Sequence, residues 1–202
     1  MTVVSGLAGL LAEQQIPAHG IVHVGAHLGQ EVAAYRACGF GRILLVEPNP
    51  ALVAELRRTV EDPPTVVVVE GACASAPGEQ TLHVTERSKL SSLYRPITRP
   101  VVGQVKVPVY RLADLLAAEP NSAINVAVVD VQGAELEVVS GAPLHRLDLV
   151  MLETHQRSKY AGAPGYAEAV ASMQRLGWEP VAEFPHDPKG KCRDVAFMRA
   201  SR

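Results

Sequence analysis

One segment constrains this chain more than any other: Val22-His23-Val24-Gly25-Ala26-His27-Leu28-Gly29-Gln30-Glu31. It runs from an apolar strand through a glycine turn into the start of a helix. Gly25 and Gly29 permit tight turning and let a ligand approach the backbone closely. Free N–H groups at the helix start favour an anionic group such as a carboxylate or phosphate. The runs around this segment set its context. Gly20–Val24, Arg42–Val46 and Thr65–Val69 read as strands, and Glu31–Cys38 and Ala51–Val60 as the helices between them. This β-α-β-α-β order selects an α/β fold with a doubly wound parallel sheet.

The rest of the chain extends that pattern. Val3–Gln15 reads as an amphipathic helix carrying Leu7, Leu10 and Leu11 on one face, ended by Pro17. Thr81–Thr85 and Val105–Val109 alternate and predict an antiparallel edge ribbon. The segment Glu86–Gly103 between them holds Ser, Arg and Pro and reads as a mobile loop. Then come a helix at Leu112–Ala118, a strand at Ile124–Val131, a helix at Glu135–Val139 and a strand at Leu147–Glu153. A helix at Pro164–Leu176 stops at Gly177. Trp178–Phe184 and Arg193–Arg199 predict a closing antiparallel hairpin.

Composition narrows the function classes. A length of 202 residues suits one α/β domain, and 48% apolar with 20% charged residues is a globular balance. The net charge of -2 leaves no basic excess to neutralise a phosphate backbone, and 1 Trp, 5 Tyr and 3 Phe make no stacking platform. The expectation is no nucleic-acid partner. Cys38, Cys73 and Cys192 form no CxxC pair and read as buried structural thiols. Met1–Gln15 lacks a basic leader, and no apolar run is long enough to span a membrane. A cytoplasmic chain is expected, and the high apolar content admits a homodimer.

The chemistry should sit at the strand ends. Glu47 closes the second strand 18 residues after Gly29, where a carboxylate can accept both hydroxyls of an adenosine ribose. The spacing G-x-x-x-G departs from the G-x-G-x-x-G of dinucleotide sites, which disfavours NAD. S-adenosylmethionine uses a similar turn and the same ribose carboxylate, with no pyrophosphate to cradle. Gly71 and Ala72 follow the third strand, where the adenine pocket should lie. Asp130 and Gln132 share a face if the fourth strand persists through them, and Glu135 opens the next helix. Glu153 and His155 share a face at the end of the fifth strand. Carboxylates at the ends of apolar strands cost desolvation unless paired or metal-bound. Two neighbouring strand ends thus deliver Asp130, Glu153 and His155 to one cleft. His23 and His27 sit on a strand and a turn, so they do not make a zinc pair.

The chain resembles the FkbM family of S-adenosylmethionine-dependent methyltransferases. The resemblance lies in His23–Glu31, in Val46-Glu47-Pro48-Asn49-Pro50, and in Asp130–Glu137 running on to Gly141-Ala142. Glu153 and Gly177-Trp178 fit as well. It covers about residues 20–199 and implies a Rossmann-like class I methyltransferase fold. That fold has a mostly parallel seven-stranded sheet with a C-terminal antiparallel hairpin. Residues 1–19 would form an N-terminal helix and 20–202 the methyltransferase domain. The implied activity is methyl transfer to oxygen, with sugar hydroxyls of polysaccharides, antibiotics or glycolipids as the usual acceptors. The implied cofactor contacts are His23, Gly25, Ala26, Gly29, Gln30, Glu31, Glu47, Pro48, Asn49, Gly71, Ala72, Asp130 and Gln132. His23 departs from the family, which usually has an acidic residue there.

Several roles follow as expectations. His155 acts as base while Asp130 and Glu153 hold Mg²⁺ that polarises the acceptor. A structural role for His155, and direct binding of acceptor hydroxyls by the carboxylates, stand beside that reading. Ser91, Ser92, Glu135 and Tyr160 are the expected acceptor contacts, with Tyr166 and Trp178 as further sugar-stacking candidates. The acceptor should be gripped by loops of the core, chiefly Glu86–Gly103 and Gln156–Gly165, or by a partner subunit. An NAD-dependent oxidoreductase and a non-catalytic methyltransferase-like binding protein are the alternatives.

Overall fold

A computed structural model describes residues 6–119 and 124–200. The first residues of the expected Val3–Gln15 helix lie outside these ranges. The main sheet contains β1 (Gly20–Val24), β2 (Arg42–Glu47), β3 (Val66–Glu70), β7 (Val126–Val129), β8 (Leu149–His155), β9 (Trp178–Pro185) and β10 (Cys192–Arg199). A smaller sheet contains β4 (Ala72–Cys73), β5 (Gly78–Thr85) and β6 (Val101–Tyr110). The helices are α1 (Leu7–Glu13), α2 (Val32–Ala37), α3 (Pro50–Val60), α4 (Leu112–Ala118), α5 (Glu135–Ser140) and α6 (Tyr166–Arg175).

The seven strands lie in the order β3-β2-β1-β7-β8-β10-β9. β1 pairs in parallel with both β2 and β7, so the winding reverses there. Ligands of open α/β sheets bind at the carboxyl ends of the strands at such a reversal. β10 runs antiparallel between β8 and β9, completing the expected hairpin. Every residue of β1 is buried, and neighbours alternate between two cores. Ile21 joins Leu7, Leu10, Tyr35 and Leu56 on one side of the sheet. Val22 and Val24 join Leu112, Leu116 and Trp178 on the other.

Asn125 ties three chain entries to this sheet. Its Oδ1 accepts from the Gly20 amide (3.3 Å), and its Nδ2 donates to the Pro17 carbonyl and Asp148 Oδ2, both at 2.8 Å. Asn125→Ala should lower stability by about 1–3 kcal/mol, because buried backbone groups lose their partners. A lower urea midpoint at unchanged slope would register it.

Three expectations need correction. The fourth strand stops at Val129, because Gln132 (φ 59°) and Gly133 (φ 110°) turn the chain sharply. Asp130 and Gln132 therefore meet through a turn and not through strand alternation. The fifth strand instead runs on to His155. The segment Glu86–Gly103 is tied down rather than free. Ser88–Leu90 forms a 3₁₀ turn, His83 bridges Ser92, Pro96 bridges Tyr160, and β6 already starts at Val101. The ribbon packs Leu82, Val107 and Val109 with Ala72 and Ala74 as a third small core. Among the described residues no helix is long and apolar enough to cross a membrane.

Candidate functional site

Glu47 organises the reversal point. Its Oε2 accepts from the His27 amide and its Oε1 from the Asn49 amide, each at 2.8 Å. One carboxylate thus clamps the turn after β1 to the turn after β2. Burial pushes its pKa up to about 7 against these stabilising bonds. Asn49 caps α3 by accepting from the Ala51 amide (3.2 Å), with Pro50 in the first turn. Gly25 adopts φ 89°, and a Cβ there would lie 1.8 Å from the Asp130 carbonyl oxygen. Only glycine lets the β1 and β7 ends approach this closely. At Gly29 a Cβ would meet Leu56 Cδ1 at 2.7 Å, which packs α3 against the turn.

A cavity of about 420 Å³ opens beside Gly25, over the ends of β1, β7 and β8. His23, Ala26, Gln30, Glu31, Asp130, Gln132, Glu153 and His155 line it. A narrow apolar slot on the other side of Gly25 is lined by Pro48, Ala72, Leu82 and Val131. Gly71 does not line the slot: a Cβ there would meet the Tyr110 ring at 2.6 Å.

The acidic wall is held by one amide. Gln132 Nε2 donates to Asp130 Oδ1 at 2.7 Å and to Glu153 Oε2 at 2.5 Å. Its Oε1 accepts from the Tyr160 hydroxyl at 2.6 Å. Burial raises the pKa of Asp130, and burial together with the Asp130 charge raises Glu153 well above the usual carboxylate range. His155 is buried, which lowers its pKa to about 4 and keeps the ring neutral. His23 shares a 3.1 Å hydrogen bond with the Tyr35 hydroxyl through Nδ1, while Nε2 is buried without a partner. Burial lowers its pKa to about 4.

The Methyltransferase FkbM domain family matches residues 23–180. The chain belongs to the FkbM methyltransferase family. No curated protein is similar enough to match. Solved structures share the fold at low identity. An FkbM methyltransferase from Methylobacillus flagellatus aligns at TM-score 0.57 and 14% identity, covering 88% of this chain and 43% of its own. The chain thus spans less than half of that protein. PH1948 from Pyrococcus horikoshii, provisionally described as an RNA methyltransferase, aligns at 0.57 and 13% identity over 98% of this chain and 84% of its own. Magnesium protoporphyrin IX methyltransferase from Synechocystis, solved with bound S-adenosylmethionine, aligns at 0.58 and 8% identity over 98% and 78%. The acceptors in these descriptions differ, so the fold leaves the acceptor of this FkbM methyltransferase open.

Several expected acceptor residues of this FkbM methyltransferase are occupied by internal bonds. Ser92 is buried: its Oγ donates to the Gln132 carbonyl (2.8 Å) and accepts from the Tyr94 amide (3.0 Å). Ser91 Oγ accepts from the Thr85 amide at 3.2 Å. Glu135 accepts from the Gly133 amide at 2.9 Å and the Val131 amide at 3.3 Å, closing the turn after β7. Burial raises its pKa to about 7. Tyr160 is buried as the strut that holds Gln132. The stacking candidates are used up as well, since Trp178 is core and Arg193 covers the Tyr166 ring at 4.5 Å.

The expected Mg²⁺ pair does not fit as placed. The Gln132 amide nitrogen donates to both Asp130 and Glu153, and a nitrogen donor cannot share that position with a cation.

Six residues outside the expected site also line the cavity: His27, Lys89, Leu90, Lys159, His186 and Cys192. Gln30 Nε2 donates to His27 Nδ1 (2.9 Å), and His27 Nε2 donates to Ser88 Oγ (2.8 Å), joining the glycine turn to the cover. His186 and Cys192 flank the short connection of the closing hairpin. The predicted hairpin was a signal that His186 and Cys192 would meet each other, whereas their approach to Glu153 comes from the pairing of β10 with β8.

Proposed function

We propose that this chain transfers a methyl group from S-adenosylmethionine to a hydroxyl of a sugar or glycoside. The observation that carries this reading is the cavity of about 420 Å³, walled by Asp130, Glu31 and Glu153 and adjoined across Gly25 by an apolar slot. Among the described residues no lysine or arginine pairs with these three carboxylates. A cationic ligand fits such a wall, and the cofactor, when bound, supplies an activated methyl group on a sulfonium.

The residues divide the work. Glu47 accepts the ribose hydroxyls, and Pro48, Ala72 and Leu82 enclose the adenine. Asp130 and Glu31 face the positive charges of the methionine end. With Tyr35 as donor to Nδ1, His23 carries its proton on Nε2, which is buried without a partner at the cavity wall, so a neutral donor stands where the family usually has an acidic residue. His155, on the cavity wall, receives the proton of the acceptor hydroxyl. Alignment of acceptor oxygen and methyl group is the remaining requirement.

Labelled S-adenosylmethionine offered with glycosides, RNA and NAD-linked alcohol substrates in parallel tests the reading. Base-stable label in a glycoside is expected. Label in RNA instead would overturn the acceptor class, and NAD turnover without label would overturn the activity. His155→Gln should lower kcat by about 100–10,000-fold while cofactor affinity holds.

A further inference from the structure

A second set of donors lies at the far wall of the cavity. Strand register creates it: β10 pairs Cys192 with His155 and Asp194 with Glu153. The His186 amide donates to the Cys192 carbonyl at 2.9 Å, which brings the end of β9 to the same level. Cys192 Sγ lies 3.3 Å from Glu153 Oε1 and 3.3 Å from His186 Nδ1. That nitrogen lies 3.7 Å from the same Glu153 oxygen. Zinc bonds of about 2.0–2.3 Å at tetrahedral angles space their ligands about 3.3–3.7 Å apart. The three donors already stand at that spacing.

A second observation points the same way. His186 Nε2 donates to Asp194 Oδ2 at 2.6 Å, and Asp194 is buried. This bond fixes the ring and leaves Nδ1 facing the thiol and Glu153. A carboxylate behind the far nitrogen is the usual support of a metal-binding histidine.

We propose that Glu153, His186 and Cys192 form a binding site for a divalent transition metal of the zinc class, with its fourth position open to the cavity beside His155. His155 offers a donor atom within 4.8 Å of those of Glu153 and Cys192, so it borders that position. A thiolate and an imidazole suit zinc, cobalt or iron and not Mg²⁺, which takes oxygen ligands. Thiolate and carboxylate together neutralise the ion, and binding releases the Cys192 proton to solvent. The catalytic consequence rests on the proposed methyl transfer. An acceptor hydroxyl on the open position becomes more acidic and passes its proton to His155.

The test titrates the metal-free full chain with Co²⁺, without cofactor or acceptor. One equivalent should bind, with tetrahedral d–d bands and a thiolate-to-cobalt band in the near ultraviolet, and Zn²⁺ should displace it. Cys192→Ser should abolish the thiolate band. His186→Ala should weaken binding by at least about 100-fold and Asp194→Asn by about 10–100-fold. His155→Ala should retain the band. Zn²⁺ should also protect Cys192 of the unaltered chain from alkylation, which keeps the test independent of variant folding. Absence of saturable cobalt uptake would overturn the site. So would a thiolate band that survives Cys192→Ser, or one that needs His155 and not His186. Because no cofactor or acceptor is present, such a failure leaves the methyl-transfer reading untouched.

Discussion

Gly25→Ala should leave the fold destabilised by about 3–5 kcal/mol, a large share of the roughly 5–15 kcal/mol that holds a domain together. Two costs combine. Alanine at φ 89° carries about 1–2 kcal/mol of backbone strain. Its Cβ would also lie 1.8 Å from the Asp130 carbonyl oxygen, and backbone cannot rotate away. Relief requires β1 and β7 to part at the point where the cavity opens. Gly39→Ala supplies the control. Gly39 has φ 91°, and a Cβ there would meet nothing within 4 Å, so only the strain applies. Urea denaturation of both variants separates the two costs. Equal losses would mean that the close approach at Gly25 carries no weight.

Glu47→Gln should weaken S-adenosylmethionine binding by about 10–100-fold, measured by calorimetry. The carboxylate accepts two backbone amides and, in the proposed complex, two ribose hydroxyls. An amide replaces one charged acceptor with a donor that faces a backbone N–H, and charge-assisted bonds contribute about 1.5–3 kcal/mol. The pH dependence follows from the pKa of about 7. Only the ionised carboxylate accepts both hydroxyls, so protons compete with the cofactor below that pH. Affinity should rise about tenfold from pH 6 towards its plateau above pH 8. Glu47→Gln should flatten this rise. A pH-independent wild type would remove Glu47 from the ribose contact. The same raised pKa makes the fold bind an extra proton relative to the unfolded chain. Its contribution to stability therefore falls as pH increases from about 4.5 to 7.

Much of the architecture was legible in local pattern. Val runs bounded by glycine and proline predicted the parallel strands, and the Trp178 and Arg193 runs predicted the closing hairpin. The acidic end of β2 was legible too, because the turn-to-acid spacing is set within one β-α-β unit. The occupancy of polar side chains was not. Ser92 donates to a carbonyl 40 positions away, and Tyr160 donates to Gln132 across 28. No local pattern announces that such groups are already satisfied. The end of the fourth strand was misplaced for a related reason. Val131-Gln132 continues an apolar alternation, while the positive φ at Gln132 is stabilised by Tyr160 and the two carboxylates.

Local pattern in the chain settles the fold family, the reversal point and the acids that meet there, because hydrophobic period and glycine turns act over short stretches of chain. Which of those groups are free is settled by tertiary packing. Packing turns Glu135, Ser92 and Tyr160 into supports, and it leaves His23 with an unpartnered nitrogen. It also brings His186 and Cys192 to Glu153, because β10 inserts between β8 and β9. Strand order within a sheet is a long-range choice of pairing, made by contacts that no local periodicity encodes.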